Sequence, residues 1–167
     1  DEAVAAQRNL ARNVDASLEA VEDMLTTLLD ISRLDAGAIK AELTNFRVDD
    51  LLARLRIEFE PMAREKGLAL KIMPSSLAIR SDQRLLHRVL QNFISNAIKY
   101  TLKGRVLVGA RRVGGHVEIQ VWDTGIGIPE SKRKIIFQEF ERLAPGAKAS
   151  SGAGLGLSIV ERISRVL

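Results

Sequence analysis

A chain of 167 residues, 46% apolar and 28% charged, is long enough for one sizeable domain plus an appendage and has an ordinary globular composition. With no cysteine it excludes a disulfide framework and a thiolate metal site, which fits a reducing cytoplasm. A formal charge of +4, scattered basic residues and 4% aromatics argue against a nucleic-acid surface, and no apolar run approaches the ~20 residues of a membrane span. Asp1 opens no signal peptide, so the expected setting is cytoplasmic, with any membrane attachment supplied by segments upstream.

Residues 1–36 contain neither Pro nor Gly and read as one long helix that Gly37 is placed to end. Ala11, Val14, Leu18, Val21, Leu25 and Leu28 alternate by three and four, a heptad seam that needs an apolar partner. A four-helix dimer, a helical hairpin or the chain's own globular part could supply it. Ala38 to Thr44 form a short linker before Phe46. A second helix is expected from Val48 to Lys66, with Asp49 in its first turn. Leu51, Leu52, Leu55, Phe59 and Met62 form its apolar face, Pro61 is expected to kink or shorten it, and Gly67 closes it. Leu68 to Met73 alternates as a strand, Pro74-Ser75-Ser76 turns, and Leu77 to Arg80 gives another short strand.

The next helix, residues 82–101 with Ser81 or Asp82 as its cap, carries two stripes. Leu86, Val89, Leu90, Phe93, Ile94 and Ala97 make a broad apolar face. Asn92, Asn96 and Lys99 recur at i, i+4 and i+7 on its shoulder, between the core and a pole of Arg84, Arg88 and Gln91. Two amides and an ammonium aligned at a core boundary suit either a solvated shoulder or a cleft wall offering oxygen ligands and one positive charge.

Gly104 starts a hairpin in which Val106, Val108 and Ala110 share one face, Gly114-Gly115 turns, and His116 to Asp123 returns. Val117, Ile119 and Val121 point to one face by period two, and the next position on that face is Asp123. A carboxylate aimed to the apolar side needs donors. The N–H groups of Thr124, Gly125 and Gly127 in a self-capping Asp-Gly turn are one source, and a ligand's exocyclic amine, such as that of adenine, is the other. In the second case Gly125 and Gly127 let the backbone approach a flat ring. His116 and His87 lack the acidic neighbours of a reactive histidine and read as structural or exposed.

DTGIGIP leads to a helical segment from about Glu130 to Arg142, then to a Gly/Ala/Ser-rich stretch from Ala144 to Ala153 suited to a mobile lid. The final helix starts at about Leu155. Gly152-Ala-Gly154-Leu-Gly156-Leu at its N-terminus offers glycine amides to an anion. With no preceding strand and GxGxG spacing this is not a dinucleotide fingerprint, and GxxxxGK[ST] is absent from the chain.

An Asn/Lys helix, an Asp-x-Gly-x-Gly strand end and a Gly-rich lid thus arrive in fixed order. From Phe46 to Leu167 the sequence resembles the ATP-binding domain of sensor histidine kinases, a branch of the superfamily that includes gyrase, the heat-shock chaperone and MutL-type proteins. The four boxes read NFISNAIKYT, DTGIGIP, FQEFERL and GAGLGLSI, and LLDISRLDAG looks like the end of the family's second dimerisation helix. The resemblance implies a two-layer α/β sandwich, a mixed sheet covered by helices on one face, with an N-terminal long helix. It divides the chain into 1–37, part of the dimerisation and phosphoacceptor domain; 38–44, a linker; and 45–167, the ATP-binding domain without its last strands.

By the same resemblance Asn96 would ligate Mg²⁺, with Asn92 a second candidate holding metal waters or phosphate. Lys99 would meet a phosphate and Tyr100 would cover the nucleotide. Asp123 would accept from adenine N6 beside Gly125 and Gly127. Phe137 and Phe140 would anchor the lid, Arg142 would swing to the γ-phosphate, and Gly154, Leu155 and Gly156 would cradle the phosphates. The implied activity is ATP-dependent phosphorylation of a histidine absent from this chain, in a homodimer, for relay to a response-regulator receiver domain. Two alternatives are an ATPase of the same superfamily and a nucleotide-binding scaffold without catalysis. The ATPases carry a glutamate where this chain has Asn92, and an amide cannot act as a general base.

Overall fold

The computed structural model describes residues 2–138 and 154–167. Helix α1 spans Glu2–Asp35, 34 residues. The N–H groups of Gly37 and Ala38 return to the carbonyls of Leu34 and Arg33 at 3.0 and 2.9 Å and close it where the glycine predicts. Its seam divides. Val14, Leu18, Val21 and Leu25 are 48–63% exposed, whereas Ile31 and Leu34 are buried and Met24 and Leu28 pack beside them. Only the C-terminal end of α1 therefore sits on the globular part.

The linker is held rather than loose. Ile39 and Ala41 pack on the same cluster as α1, and the Glu42 N–H donates to Asp82 Oδ2 at 2.8 Å. Thr44, assigned to the linker by sequence, begins strand β1 (Thr44–Arg47), which pairs antiparallel with β3 (Ala78–Ser81). Between them run helix α2 (Val48–Glu65) and strand β2 (Ala69–Ile72). Pro61 does not shorten α2. The carbonyl it deprives of a donor belongs to Ile57, which is 77% exposed, so water can satisfy it. Val48, Leu51, Leu52, Leu55, Phe59 and Ala63 are buried, while Met62, expected on this face, is 47% exposed.

Helix α3 (Gln83–Tyr100) is capped by Asp82, whose Oδ1 accepts the Arg84 and Leu85 N–H groups at 2.9 and 3.0 Å. Burial of Asp82 pushes its carboxyl pKa up, but the N–H donors of Glu42, Leu85 and Arg84 outweigh that and hold it below the ordinary carboxylate value. The hairpin of β4 (Arg105–Val113) and β5 (His116–Asp123) adds to β2 in the order β2-β4-β5, with β2 parallel and β5 antiparallel to β4. The inner face, Ile72, Val106 and Val108, meets α2 and α3 in the main core. The outer face is open, with Trp122 61% exposed opposite Leu107. The result is a mixed α/β fold with helices on one side of its sheets.

The last helix, α4 (Gly156–Val166), buries Ile159, Val160 and Ile163 against Leu85 and Val89 of α3 and against the end of α1. This second core changes the expected surface of α3. Arg88 and Gln91, predicted on an exposed pole, are half-buried, because Arg88 pairs with Asp30 of α1 and Gln91 bonds to Glu58 of α2. Arg162 Nε likewise donates to Asp35 at 2.7 Å, which holds that carboxyl below its usual range. Of the helix expected over Glu130–Arg142, the described part to Gln138 is a single 3₁₀ turn at Glu130–Lys132 followed by further turns to Phe137, and residues 139–142 lie outside the described residues. Ile135, Ile136 and Phe137 are only half-buried, so no core face draws them into a regular helix.

Candidate functional site

Asn92, Asn96 and Lys99 project from the half-buried shoulder of α3 as their spacing predicts. Asn92 is oriented by its own helix: its Nδ2 donates to the Arg88 carbonyl at 2.8 Å. Its Oδ1 faces the start of α4 so closely that a Cβ on Gly156 would lie 2.5 Å from it. A side chain there would displace the Asn92 amide, so glycine at 156 lets the amide stripe of α3 lie against the Gly-rich turn. Leu155 is 3% exposed and packs in the second core, so only its backbone can serve a site. No side chain among the described residues caps α4, and its first N–H groups face the Gly154 turn with the partial positive charge of a helix N-terminus.

The other end of α3 forms a second junction. A Cβ on Gly125 would lie 2.5 Å from the Tyr100 carbonyl and 2.8 Å from Asp123 Oδ1, so this turn also demands glycine. Ile126 N–H donates to the Tyr100 carbonyl at 3.2 Å. The DxGxG turn, with Gly127 following at a φ of +68°, is thereby pinned against the last turn of α3. Lys99 Nζ sits 5.3 Å from the Tyr100 ring centroid, a cation–π contact.

Asp123 departs from expectation. It is exposed at the end of β5, although its cross-strand partner Val106 is fully buried in the main core. Its Oδ1 accepts the Gly125 N–H at 2.8 Å, which is the self-capping turn. That bond leaves the second carboxylate oxygen for a ligand and orients the carboxylate beside the last turn of α3. Beside it Ile126 and Ile128 are 62% and 40% exposed, apolar surface that the sequence reading did not assign. Thr101 was missed as well. It is fully buried directly after Tyr100, and its hydroxyl is without a hydrogen-bond partner among the described residues. The signal for both lay in their position next to named residues, not in their type.

Asn92 to Tyr100 spans about 12 Å along the helix axis, so the two junctions mark opposite ends of one wall. Phe137 is half-buried. Phe140, Arg142 and the stretch Ala144 to Ala153 lie outside the described residues. Among the described residues no group of three His, Cys, Asp or Glu could hold a metal. His87 pairs with Glu58 at 3.3 Å and His116 is exposed at the start of β5. No helix among the described residues is long and apolar enough to cross a membrane.

Residues 81–167 match the family described as Histidine kinase-, DNA gyrase B-, and HSP90-like ATPase. The chain is 34% identical to the autoinducer 2 sensor kinase/phosphatase LuxQ of Vibrio vulnificus, over 93% of this chain and 20% of that protein. It is 31% identical to the sensor-like histidine kinase SenX3 of Mycobacterium tuberculosis, over 94% of this chain and 39% of that one. The chain thus spans 20% to 39% of the length of these curated relatives. Among solved structures it resembles full-length ShkA in complex with AMPPNP, with a TM-score of 0.73 and 33% identity over 86% of this chain and 30% of that one. It also resembles the nucleotide-free catalytic domain of the histidine kinase ThkA, with a TM-score of 0.62 and 28% identity over 73% of this chain and 79% of that one. A wall of two asparagines and a lysine, closed at one end by a glycine-started helix and at the other by an Asp-Gly turn, therefore belongs to the ATP-binding catalytic domain of the sensor histidine kinases, the family of which this chain is a member.

Proposed function

We propose that residues 45–167 bind Mg²⁺-ATP for a two-component sensor kinase, that 1–37 are the second helix of its dimerisation and phosphoacceptor domain, and that 38–44 link the two. In the whole protein the γ-phosphoryl group passes to a histidine outside this chain and then to a receiver domain of a response regulator. The protein works as a homodimer in the cytoplasm. The observation that carries this reading is the double junction of α3, with Asn92 against Gly156 and Tyr100 against Gly125. It supports a purine at the Asp123 end and phosphates at the α4 end.

Asp123 then accepts from the adenine amine, with Gly125 and Gly127 beside the ring and Tyr100 over it. Lys99 and the N–H groups at Gly154, Leu155 and Gly156 meet the phosphates. Phe137 and Phe140 anchor the lid, and Arg142 reaches the γ-phosphate. Amide oxygens of Asn96 and Asn92 fit a hydrated Mg²⁺, a hard cation shared with phosphates rather than caged by protein, in keeping with the absence of an acidic cluster among the described residues. The ion supplies neutralisation of phosphate charge. Asn92 cannot deprotonate a water, which favours transfer over hydrolysis. The domain boundary has its own support. β3 and β5 each bond to a single strand, and between them lies an open groove of about 770 Å³ lined by Ile79, Leu90, Phe93, Val117 and Ile119.

Calorimetric titration with Mg²⁺-ATP tests the site. Asp123→Asn keeps an oxygen for the Gly125 N–H, so folding should be unchanged while affinity falls by about 2 kcal/mol, the worth of a hydrogen bond to a charged group. Unchanged affinity would sink the adenine assignment. Asn96→Ala should weaken ATP far more than adenosine, and equal weakening of the two would remove Asn96 from the metal and phosphate end.

A further inference from the structure

The last turn of α3 has four carbonyls without a helical partner, and the fold satisfies all of them. Ala97 accepts the Thr101 N–H at 3.1 Å and Tyr100 accepts the Ile126 N–H at 3.2 Å. The middle two, Ile98 and Lys99, are both taken by one ammonium: Lys66 Nζ lies 2.6 Å from each carbonyl oxygen. We propose that Lys66 is a positioning residue for the nucleotide site, holding the turn that carries Lys99 and Tyr100 and that receives the Gly125–Ile126 backbone. The inference rests on the nucleotide reading of that site and adds a residue from outside it.

Lys66 is well placed for the task because its own position is rigid. It is the C-cap of α2, followed by Gly67 at a φ of +67°. Leu68 N–H returns to the Ala63 carbonyl at 2.8 Å and Gly67 N–H to Arg64 at 3.0 Å, the paired bonds of a Schellman ending. Leu68 and Ala63 are both buried in the main core, which locks the ending in place. A charge at this spot also complements the partial negative charge of the α3 C-terminus. The Thr101 bond comes from the residue that follows the helix and the Ile126 bond from the loop after β5. Among the described residues it is Lys66 that ties these carbonyls to another helix.

The experiment compares the wild-type chain, Lys66→Met, Lys66→Arg and Asp123→Asn. Calorimetry with Mg²⁺-ATP measures affinity, and hydrogen exchange without nucleotide reads single amides. Lys66→Met should weaken ATP roughly tenfold, the scale of a lost charge-assisted bond, and Lys66→Arg should recover most of it. In Lys66→Met the amides of Thr101 and Ile126 should exchange faster, while those of the β4–β5 ladder do not. Unchanged ATP affinity in Lys66→Met, alongside a loss in Asp123→Asn, overturns the role of Lys66 and leaves the site standing. No ATP binding by the wild-type chain overturns the site reading and the proposal with it. Exchange that accelerates everywhere, or a loss that Lys66→Arg does not recover, assigns Lys66 to general stability and also overturns the proposal.

Discussion

Single residues around the site show what alternation and type can tell and where they stop. Period two correctly put Asp123 on the face of Val117, Ile119 and Val121, but it carries no information on where the core ends. The carboxylate stands at that edge, across from buried Val106, and is exposed. Thr101 is the reverse case: nothing in its type announces a buried hydroxyl without a partner. Thr101→Val should leave stability unchanged or raise it by up to about 1 kcal/mol, since a methyl group needs no hydrogen bond. A urea denaturation midpoint checks this. Asp82 makes a pH-dependent contribution. Its folded pKa lies below the unfolded value, so its stabilisation is present above the ordinary Asp range, near pH ~4, and is lost as pH falls through the folded value. Asp82→Asn should flatten the fall in urea midpoint between about pH 5 and pH 3, and an unchanged slope would assign acid sensitivity to other carboxylates.

At the scale of elements, long periodic segments were legible, as were the short strands β2 and β3, while β1 and the segment after Pro129 were not. The spans of α2 and α3, the hairpin and the start of α4 follow from caps, glycines and apolar spacing. Strand β1 has four residues and only Phe46 turns half inward, so no alternation could be counted. The pattern of Glu130 to Phe137 is helical in composition, but its outcome depends on a core surface that is not offered to it. Arg88 and Gln91 read as solvent-facing because the helices that cover them lie about sixty and thirty residues away in sequence, beyond any local window. For α1 the two halves of the seam should respond differently. Ile31→Ala should destabilise the domain by roughly 2–4 kcal/mol through the cavity left between α1, α3 and α4. Leu18→Glu, at a 63% exposed position, should leave the urea midpoint of this chain unchanged.

For the whole molecule, the exposed seam and the nucleotide cleft are separate devices on one chain. In the full-length sensor kinase, Leu18→Glu with Leu25→Glu should abolish the dimer while keeping Mg²⁺-ATP affinity within about twofold, since both side chains are exposed and neither belongs to the proposed site. Sedimentation and calorimetry on the same sample check both halves, and a dimer that survived would mean the seam has another use. The end of α1 has a mechanical consequence. From Met24 onward the helix is seated on the second core, with Asp30 and Asp35 held by Arg88 of α3 and Arg162 of α4. The turns before Met24 project as a rod of about 33 Å. Tilting such a lever by one degree about its seat displaces the far tip by only about 0.6 Å, so a small sideways push at the tip acts with long leverage on the seat. Because the seat is formed by α3 and α4, torque applied to α1 would bear on the spacing between Asn92 and Gly156.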